Sequence, residues 1–498
     1  MNVNPITRLD YPDPDVIRVE DTYYMVSTTM HFMPGCEILQ SFDLVHWEHV
    51  TYVYETLDHT DAQQLKSGQN IYGQGMWAAS LRYHEGRFCI CFVANDTRKT
   101  YLYTSEKIDG PWKKQLIEGF YHDGSLLFDE DGRNYIVYGN DEIWITELNE
   151  DLTAPKKDGL HRLLVSDHKN PELGYEGSHI QKINGYYYIF LIHSLRDRWM
   201  RTEACFYSDS LEGEFTGGDV LCDDRGYCGQ GVAQGGIVDT PDGKWYAMLF
   251  QDSGAVGRIP ILLPVTWKDH FPFFGQNGHV PEEIEVHSTR PGYIYQPLVG
   301  SDDFCNGLLP RWQFNHDPDP QYYHLDALQG TYTITTREVC TELTQAVNTL
   351  TQRMSYPSCA AEVTVDASAL KEGDVAGLCA LQSCYAAVGI TKHHGKYEVL
   401  MLDKKEDGIL DMTEGTVVES HQMDFRLEAD FCNMKDEARC YYRVNKGDWL
   451  PIGTVHKLYF KLDHFTGCRF GLFCYAAEET GGSACFRDFK YYDVDEIS

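Results

Sequence analysis

Asp13, Asp123 and Glu176 stand at one offset from three different turns, each eight residues before Asp21, Asp131 and Asn184. Two further turns, Glu85-Gly86 and Asp242-Gly243, place Trp77 and Gln234 at that same offset. Every turn separates two apolar, aromatic-rich runs, such as the ones that continue into Tyr23-Tyr24-Met25-Val26 and Tyr186-Tyr187-Tyr188-Ile189, which is the pattern of a β-hairpin. An equal offset from equivalent hairpins means equivalent places in five repeated units. If the units are arranged radially, the five side chains meet at one end of a common axis. Three carboxylates gathered there can hydrolyse a glycoside without a metal. One, protonated, gives its proton to the leaving oxygen, while another, ionised, activates water or attacks carbon. A third negative charge beside the acid disfavours its ionisation and keeps it protonated near neutral pH.

The turn residues Asp21, Glu85, Asp131, Asn184 and Asp242 are 64, 46, 53 and 58 residues apart, room for about four short strands each. That is the size of a propeller blade. A second phrase recurs after a third strand: Ser41 to Trp47, Ser105 to Trp112 and Ser208 to Phe215. The aromatic that ends each phrase is expected to pack between neighbouring blades. The repeats stop after Trp267, and the stretch from Asp269 through Pro297 reads as a long connection. The chain therefore divides into residues 1–298, a five-bladed β-propeller, and residues 299–498. The second part carries short alternating strands, including Tyr332-Thr333-Ile334-Thr335, Ala361 to Val365, Tyr385 to Ile390, Lys396 to Leu400, Tyr441 to Val444 and Arg469 to Phe473, the pattern of a β-sandwich. An all-β chain also suits 498 residues containing 33 Tyr and 23 Phe, too long for one core and rich in strand formers.

A formal charge of −33 argues against nucleic acid and anionic membrane as partners, because both require cationic surface. A neutral ligand such as a sugar is easier to accommodate, and aromatic faces suit its C–H surfaces. No Gly-rich phosphate loop, nucleophile elbow, paired-His motif or zinc-type Cys spacing is present, so no cofactor is expected to be required. The start, Met1-Asn2-Val3-Asn4-Pro5, has neither a basic nor an apolar leader, and the 16 Cys are scattered through strand interiors. The expectation is a cytoplasmic protein. Its oligomeric state is left open, a homo-oligomer included.

Asn4-Pro5-Ile6, Tyr11 to Val16, Met76-Trp77-Ala78-Ala79, Asp123-Gly124-Ser125, Glu176-Gly177-Ser178-His179 and Gly257-Arg258, in this order, resemble the blade-by-blade motifs of glycoside hydrolase family 43, in particular its β-xylosidase branch. The resemblance runs over essentially the whole chain. It implies a five-bladed propeller, a concanavalin-like sandwich packed across the propeller rim, and hydrolysis that inverts the anomeric centre. Matched by motif, Asp13 takes the general base, Asp123 the aspartate that modulates and orients the acid, and Glu176 the general acid. Arg258 matches a sugar-binding arginine, and Phe32 and Trp77 match aromatic walls of the same subsite. Phe465, in His464-Phe465-Thr466-Gly467, resembles an aromatic supplied by a sandwich loop that closes one side of the pocket. Many members of the family carry a histidine where Gln234 stands, contacting a central calcium ion or water. The glutamine leaves a structural calcium open and is expected to hydrogen-bond water or a catalytic side chain. Asp15 reads as a structural acid.

The implied substrates are xylo-oligosaccharides, cut at their non-reducing ends, with α-L-arabinofuranosides as the alternative within the same family. A catalytically silent carbohydrate-binding propeller is the reading from another class, and retention of three acids argues against it. A WD-type interaction propeller would need Gly-His and Trp-Asp repeats that the sequence lacks.

Overall fold

A computed structural model describes residues 2–493. Five four-stranded antiparallel sheets follow one another along the chain. Their innermost strands are Asp15–Val19, Met76–His84, Ser125–Phe128, Glu176–Ile183 and Ala233–Asp239. Each pairs across one of the five turns with the next strand, Thr22–Val26, Arg87–Ala94, Asn134–Asn140, Tyr186–Ser194 or Trp245–Asp252. These are the blades of a five-bladed propeller.

Between each pair of neighbouring blades lies its own apolar core. Val26, Ile38, Leu81, Phe92 and Tyr103 fill the space between blades one and two, with Trp112 packed against them. Cys91, Leu102, Leu126 and Ile136 join blades two and three. Phe215 lies among Tyr135, Val137, Ile180 and Ile189 between blades three and four. Phe190, Cys205, Ile237 and Leu263 join blades four and five. Trp47 sits with Tyr23, Met25, Tyr246 and Leu262 where blade five meets blade one. The aromatics that end the recurrent phrases are thus inter-blade packing. The ring is closed by the amino-terminal segment, which runs beside Arg258–Lys268: the Asn4 amide side chain donates to Leu262 O (2.8 Å) and accepts from Leu262 N–H (3.0 Å), and Tyr11 N–H donates to Arg258 O (3.0 Å).

On the axis the register sets Asp15, Ser80, Ser125, His179 and Gly236 opposite Val26, Cys91, Val137, Phe190 and Met248, so one equivalent residue from every blade faces the centre. The side chains of this ring stitch blade to blade. Asp15 accepts the N–H of Leu81 (2.7 Å), Ser80 that of Leu126 (3.1 Å), and Ser125 that of Ile180 (3.0 Å). Arg82 fills the space beside them. Its guanidinium donates to Asp15 Oδ2 (2.7 Å), Ser125 Oγ (2.7 Å), Leu126 O (2.8 Å) and Ile180 O (3.2 Å), binding blades one, two, three and four. Burial alone would raise the Asp15 carboxyl, but Arg82 and His179 (Nδ1 to Oδ1, 3.1 Å) outweigh it and hold it below its ordinary range.

The second part is a two-sheet sandwich, nine strands against seven. Its larger sheet ends on a strand from the propeller half: Phe32–Met33 pairs antiparallel with Gln313–Asn315. Buried charge ties the two parts together elsewhere. Arg353 bonds Glu37 at 2.9 Å and Asp10 O at 2.9 Å, with its guanidinium 4.1 Å over the Tyr11 ring. Asp10 is the hinge pin of the contact, accepting Arg258 N–H through Oδ1 (2.8 Å) and Gly467 N–H through Oδ2 (2.7 Å).

Replacing Arg82 by Met keeps the volume and strands the Asp15 charge, and removal of one partner of a buried pair costs about 3–5 kcal/mol. Urea unfolding of Arg82→Met should show a loss of that order; a loss below about 1 kcal/mol would show that water or a neighbour replaces the guanidinium.

Candidate active site

One layer along the axis from the Asp15 ring, the chain repeatedly leaves regular strand geometry. Asp13 and Asp123 have left-handed backbones (φ 53° and 48°) just before their strands begin. In blades two, four and five a register shift falls at the matching place, between Met76 and Ala79, Glu176 and His179, and Ala233 and Gly236. Such bulges re-aim side chains, and here they turn the residues at the strand starts toward the mouth of the axis. The three acids come together there. Asp13 is buried, with Thr28 Oγ1 donating to Oδ2 (2.6 Å) and Arg258 Nη1 to Oδ1 (3.0 Å). Asp123 is also buried and accepts Gly177 N–H at 3.1 Å, which ties it to the residue after Glu176. Glu176 is partly open to solvent and accepts from Asn140 Nδ2 at 2.6 Å.

A fourth ionisable group completes the set. His122 Nε2 lies 3.4 Å from Asp123 Oδ2 and 3.5 Å from Glu176 Oε2. Burial works against charging this ring, but Asp123 first, then Glu176 and Asp13, more than offset it and raise it to about 9. These carboxylates favour the charged form of the ring. Asp123 is itself raised to about 6, by burial above all; His122 opposes the rise, and Glu176 and Asp13 add to it. The carboxyl pushed upward by burial and like charge is thus Asp123. His122, Asn140, Thr28 and Asp10 were not singled out from sequence. For His122 the signal was its place directly before Asp123; the other three become meaningful only through partners far away in the chain.

Arg258, Trp77 and Phe465 form one wall. The Arg258 guanidinium stacks 4.2 Å from the Phe465 ring centroid, and the Trp77 ring lies 5.6 Å from Phe465 and 5.8 Å from His122. Phe465 reaches the propeller because its loop is pinned on both sides: Gly467 N–H to Asp10, Cys468 N–H to Ala255 O, and Gln382 Nε2 to Thr466 O. Its own backbone is left-handed (φ 57°), an unfavourable state for a bulky residue that the surrounding bonds hold in place.

Phe32 does not belong to this wall. It is 1% exposed, packed with Leu343, Tyr385 and Phe473, and the Arg469 guanidinium lies 3.4 Å from its ring centroid. Its strand pairs with the sandwich sheet, and that pairing turns the ring into the sandwich core. Gln234 has a left-handed backbone whose N–H donates to Glu203 Oε2 (2.7 Å). Its side chain rests on Gly177, where an added Cβ would come within 2.7 Å of it; Gly177 also has φ +64°, so glycine is required there twice over. Glu203 is fully buried with no cation beside it among the described residues, and burial pushes its carboxyl well above the usual range.

On the axis a protein cation is already in place: Asp15 Oδ2, Ser125 Oγ, Leu126 O and Ile180 O accept from the Arg82 guanidinium. Among the described residues one group has metal-ligand spacing, His122, Asp123 and Glu176, whose donor atoms lie within 4.8 Å of one another. A divalent ion there would displace the proton that an acid catalyst needs.

Comparison with known proteins agrees with this geometry. The profile of glycosyl hydrolases family 43 matches residues 3–272, and that of the β-xylosidase C-terminal concanavalin A-like domain matches residues 301–492. A protein named β-xylosidase from Formosa agariphila is 26% identical over 99% of this chain and 89% of its own length. One named xylosidase/arabinosidase from Butyrivibrio fibrisolvens is 23% identical over 99% of both chains. A solved structure described as a bifunctional GH43-CE protein of Bacteroides eggerthii superposes with a TM-score of 0.92 at 42% identity; it covers 99% of this chain, which spans 64% of that longer protein. With a propeller, an axial set of three acids and a concanavalin-like sandwich all accounted for, the chain belongs to glycoside hydrolase family 43.

Proposed function

We propose that the protein is a β-xylosidase that removes xylose from the non-reducing ends of xylo-oligosaccharides with inversion. The observation that carries this reading is the convergence of Asp13, Asp123 and Glu176 on one end of the axis, beside a buried arginine and under an aromatic contributed by the second domain. The similarity to proteins named β-xylosidase supports the choice of sugar. Closure of one side by the pinned Phe465 loop supports action at chain ends, because a chain lying across the mouth would meet that loop.

In the proposed cycle Glu176 gives its proton to the glycosidic oxygen as the bond from that oxygen to the anomeric carbon breaks. Water forms the new bond from the opposite face and loses its proton to Asp13. Thr28 and Arg258 hold the two Asp13 oxygens in fixed orientation, and Arg258 is also placed to donate to sugar hydroxyls. Asn140 orients the Glu176 carboxyl. The positive backbone end offered by Gly177 fixes Asp123 between them. All proton movements run between side chains and water, and no step needs a metal.

A paired kinetic comparison on aryl β-D-xyloside and aryl α-L-arabinofuranoside tests the substrate, with the xyloside expected to have the larger kcat/KM. Dominance of the arabinoside would transfer the assignment to the second reading, which the resemblance to a protein named xylosidase/arabinosidase favours. Sugar binding without turnover of either would return the silent binding propeller.

Glu176→Gln removes the proton donor, so aryl xylosides with poor leaving groups should lose more activity than those with activated ones, the gap growing with leaving-group pKa. Equal losses across the series would remove Glu176 from the acid's role.

Proton NMR of the sugar released first, before mutarotation, should show α-xylose from a β-xyloside. With Asp13 and Glu176 arriving from blades one and four, a water is expected to fit between them, as it does at carboxyl separations of roughly 6.5–9.5 Å in inverting sites. First-formed β-xylose, or a glycosyl-enzyme trapped on Asp13, would make Asp13 a nucleophile instead.

A further inference from the structure

The proton chemistry above gives His122 no task. Its Nε2 is buried and has no hydrogen-bond partner among the described residues, yet it is aimed into the space between Asp123 and Glu176. Its backbone carbonyl accepts Gly139 N–H (3.0 Å) from blade three, which fixes the residue, and the Trp77 ring covers it from blade two. The charged groups facing it are Asp123 on its own segment, Glu176 from blade four and Asp13 from blade one, with Arg258 of blade five reaching it only through Asp13. Catalytic hydrogen bonds are often long before substrate arrives, so 3.4 and 3.5 Å are distances that closure of the site can shorten.

We propose that His122 is a positioning residue for the acid, its imidazolium acting as the shared counter-charge to Asp123 and Glu176 and setting the pH at which that pair loses its proton. The charges close around this arrangement. Arg258 balances Asp13, His122 balances Asp123, and Glu176 can carry a proton in a site of no net charge. Without the imidazolium, Asp123 and Glu176 would face each other across a buried space with no cation of their own, and the proton between them would be held more tightly, on either oxygen. His122 therefore lowers the pH at which the pair loses its proton, because a neighbouring cation favours the ionised form. The rise of the His122 ring to about 9 agrees with this geometry.

The proposal rests on Glu176 as the acid and can be read without turnover. In a long-range ¹H–¹⁵N spectrum of the full chain, the His122 ring, identified by the signal lost in His122→Asn, should titrate well above the usual histidine value of about 6.5. In Asp123→Asn its midpoint should fall by more than about one unit, since the main charge that raises it is gone. A midpoint at or below about 6.5, or one that Asp123→Asn leaves in place, overturns the proposal. Kinetics supply an independent arm on whichever aryl glycoside is cleaved. In His122→Asn, and in His122→Gln should the first variant fold poorly, the alkaline limb of kcat should move upward by about one unit or more. A lower kcat with an unmoved limb would make His122 a packing residue only and overturn the proposal. A protein that cleaves neither glycoside defeats the substrate reading, while the ring titration still decides the place of His122.

Discussion

The bond between Arg82 and Asp15 is the constraint around which the molecule is arranged. A propeller brings one strand start from every blade to a narrow axis, and in this chain one of those five positions is a carboxylate with 1% exposure. An unpaired charge there would cost several kcal/mol. Arg82 answers it from blade two and spends its other donors on Ser125, Leu126 and Ile180, so the same guanidinium that neutralises blade one also holds blades three and four. Side chains accept backbone N–H groups from the next blade three times in succession around the same ring. The axis at this level is thereby occupied by a protein cation and by hydrogen bonds that join blade to blade.

That layer is where the strands are irregular. Left-handed residues at Asp13, Asp123, Gly177 and Gln234, and three register shifts, lie in a band immediately above the knot. Each departs from ideal sheet geometry at some cost, and the regular blade beneath supplies the stability that sustains it. The result is a set of acids, two buried and one open to solvent, supported by donors from different blades: Thr28 and Arg258 on Asp13, Gly177 on Asp123, Asn140 on Glu176. No acid is held by its own blade alone, so the site exists only when the ring is closed.

The hairpins were legible because their turn residues and aromatic runs are local, and five turns at blade-like spacing carried both the propeller and the three acids. In the sandwich, strands with clear alternation such as Thr331–Thr335, Ser358–Asp366 and Lys396–Lys404 were legible in the same way. Gln422–Asp430 was passed over although Met423, Phe425, Leu427 and Ala429 alternate in it, and in Ser483–Asp493 the alternation slips where its register with Ser358–Asp366 shifts. Phe32 was misplaced for a different reason. A two-residue strand has no periodicity of its own, and its pairing partner lies some 280 residues later. Asp10 likewise looks like any solvated aspartate until Gly467 and the Arg258 N–H are seen to converge on it.

These long-range contacts explain why a sandwich accompanies the propeller. Phe465 stacks on Arg258, and Arg258 holds Asp13, so the wall and one arm of the catalytic set share a single side chain. Asp10 clamps both ends of that arrangement, the Arg258 backbone through one oxygen and the Phe465 loop through the other. Any displacement of the sandwich would have to break a buried carboxylate from two amides and draw Phe465 off the guanidinium that orients the base. The second domain is therefore part of the site's mechanics, setting the mouth of the pocket and the aim of Asp13 through the same contact.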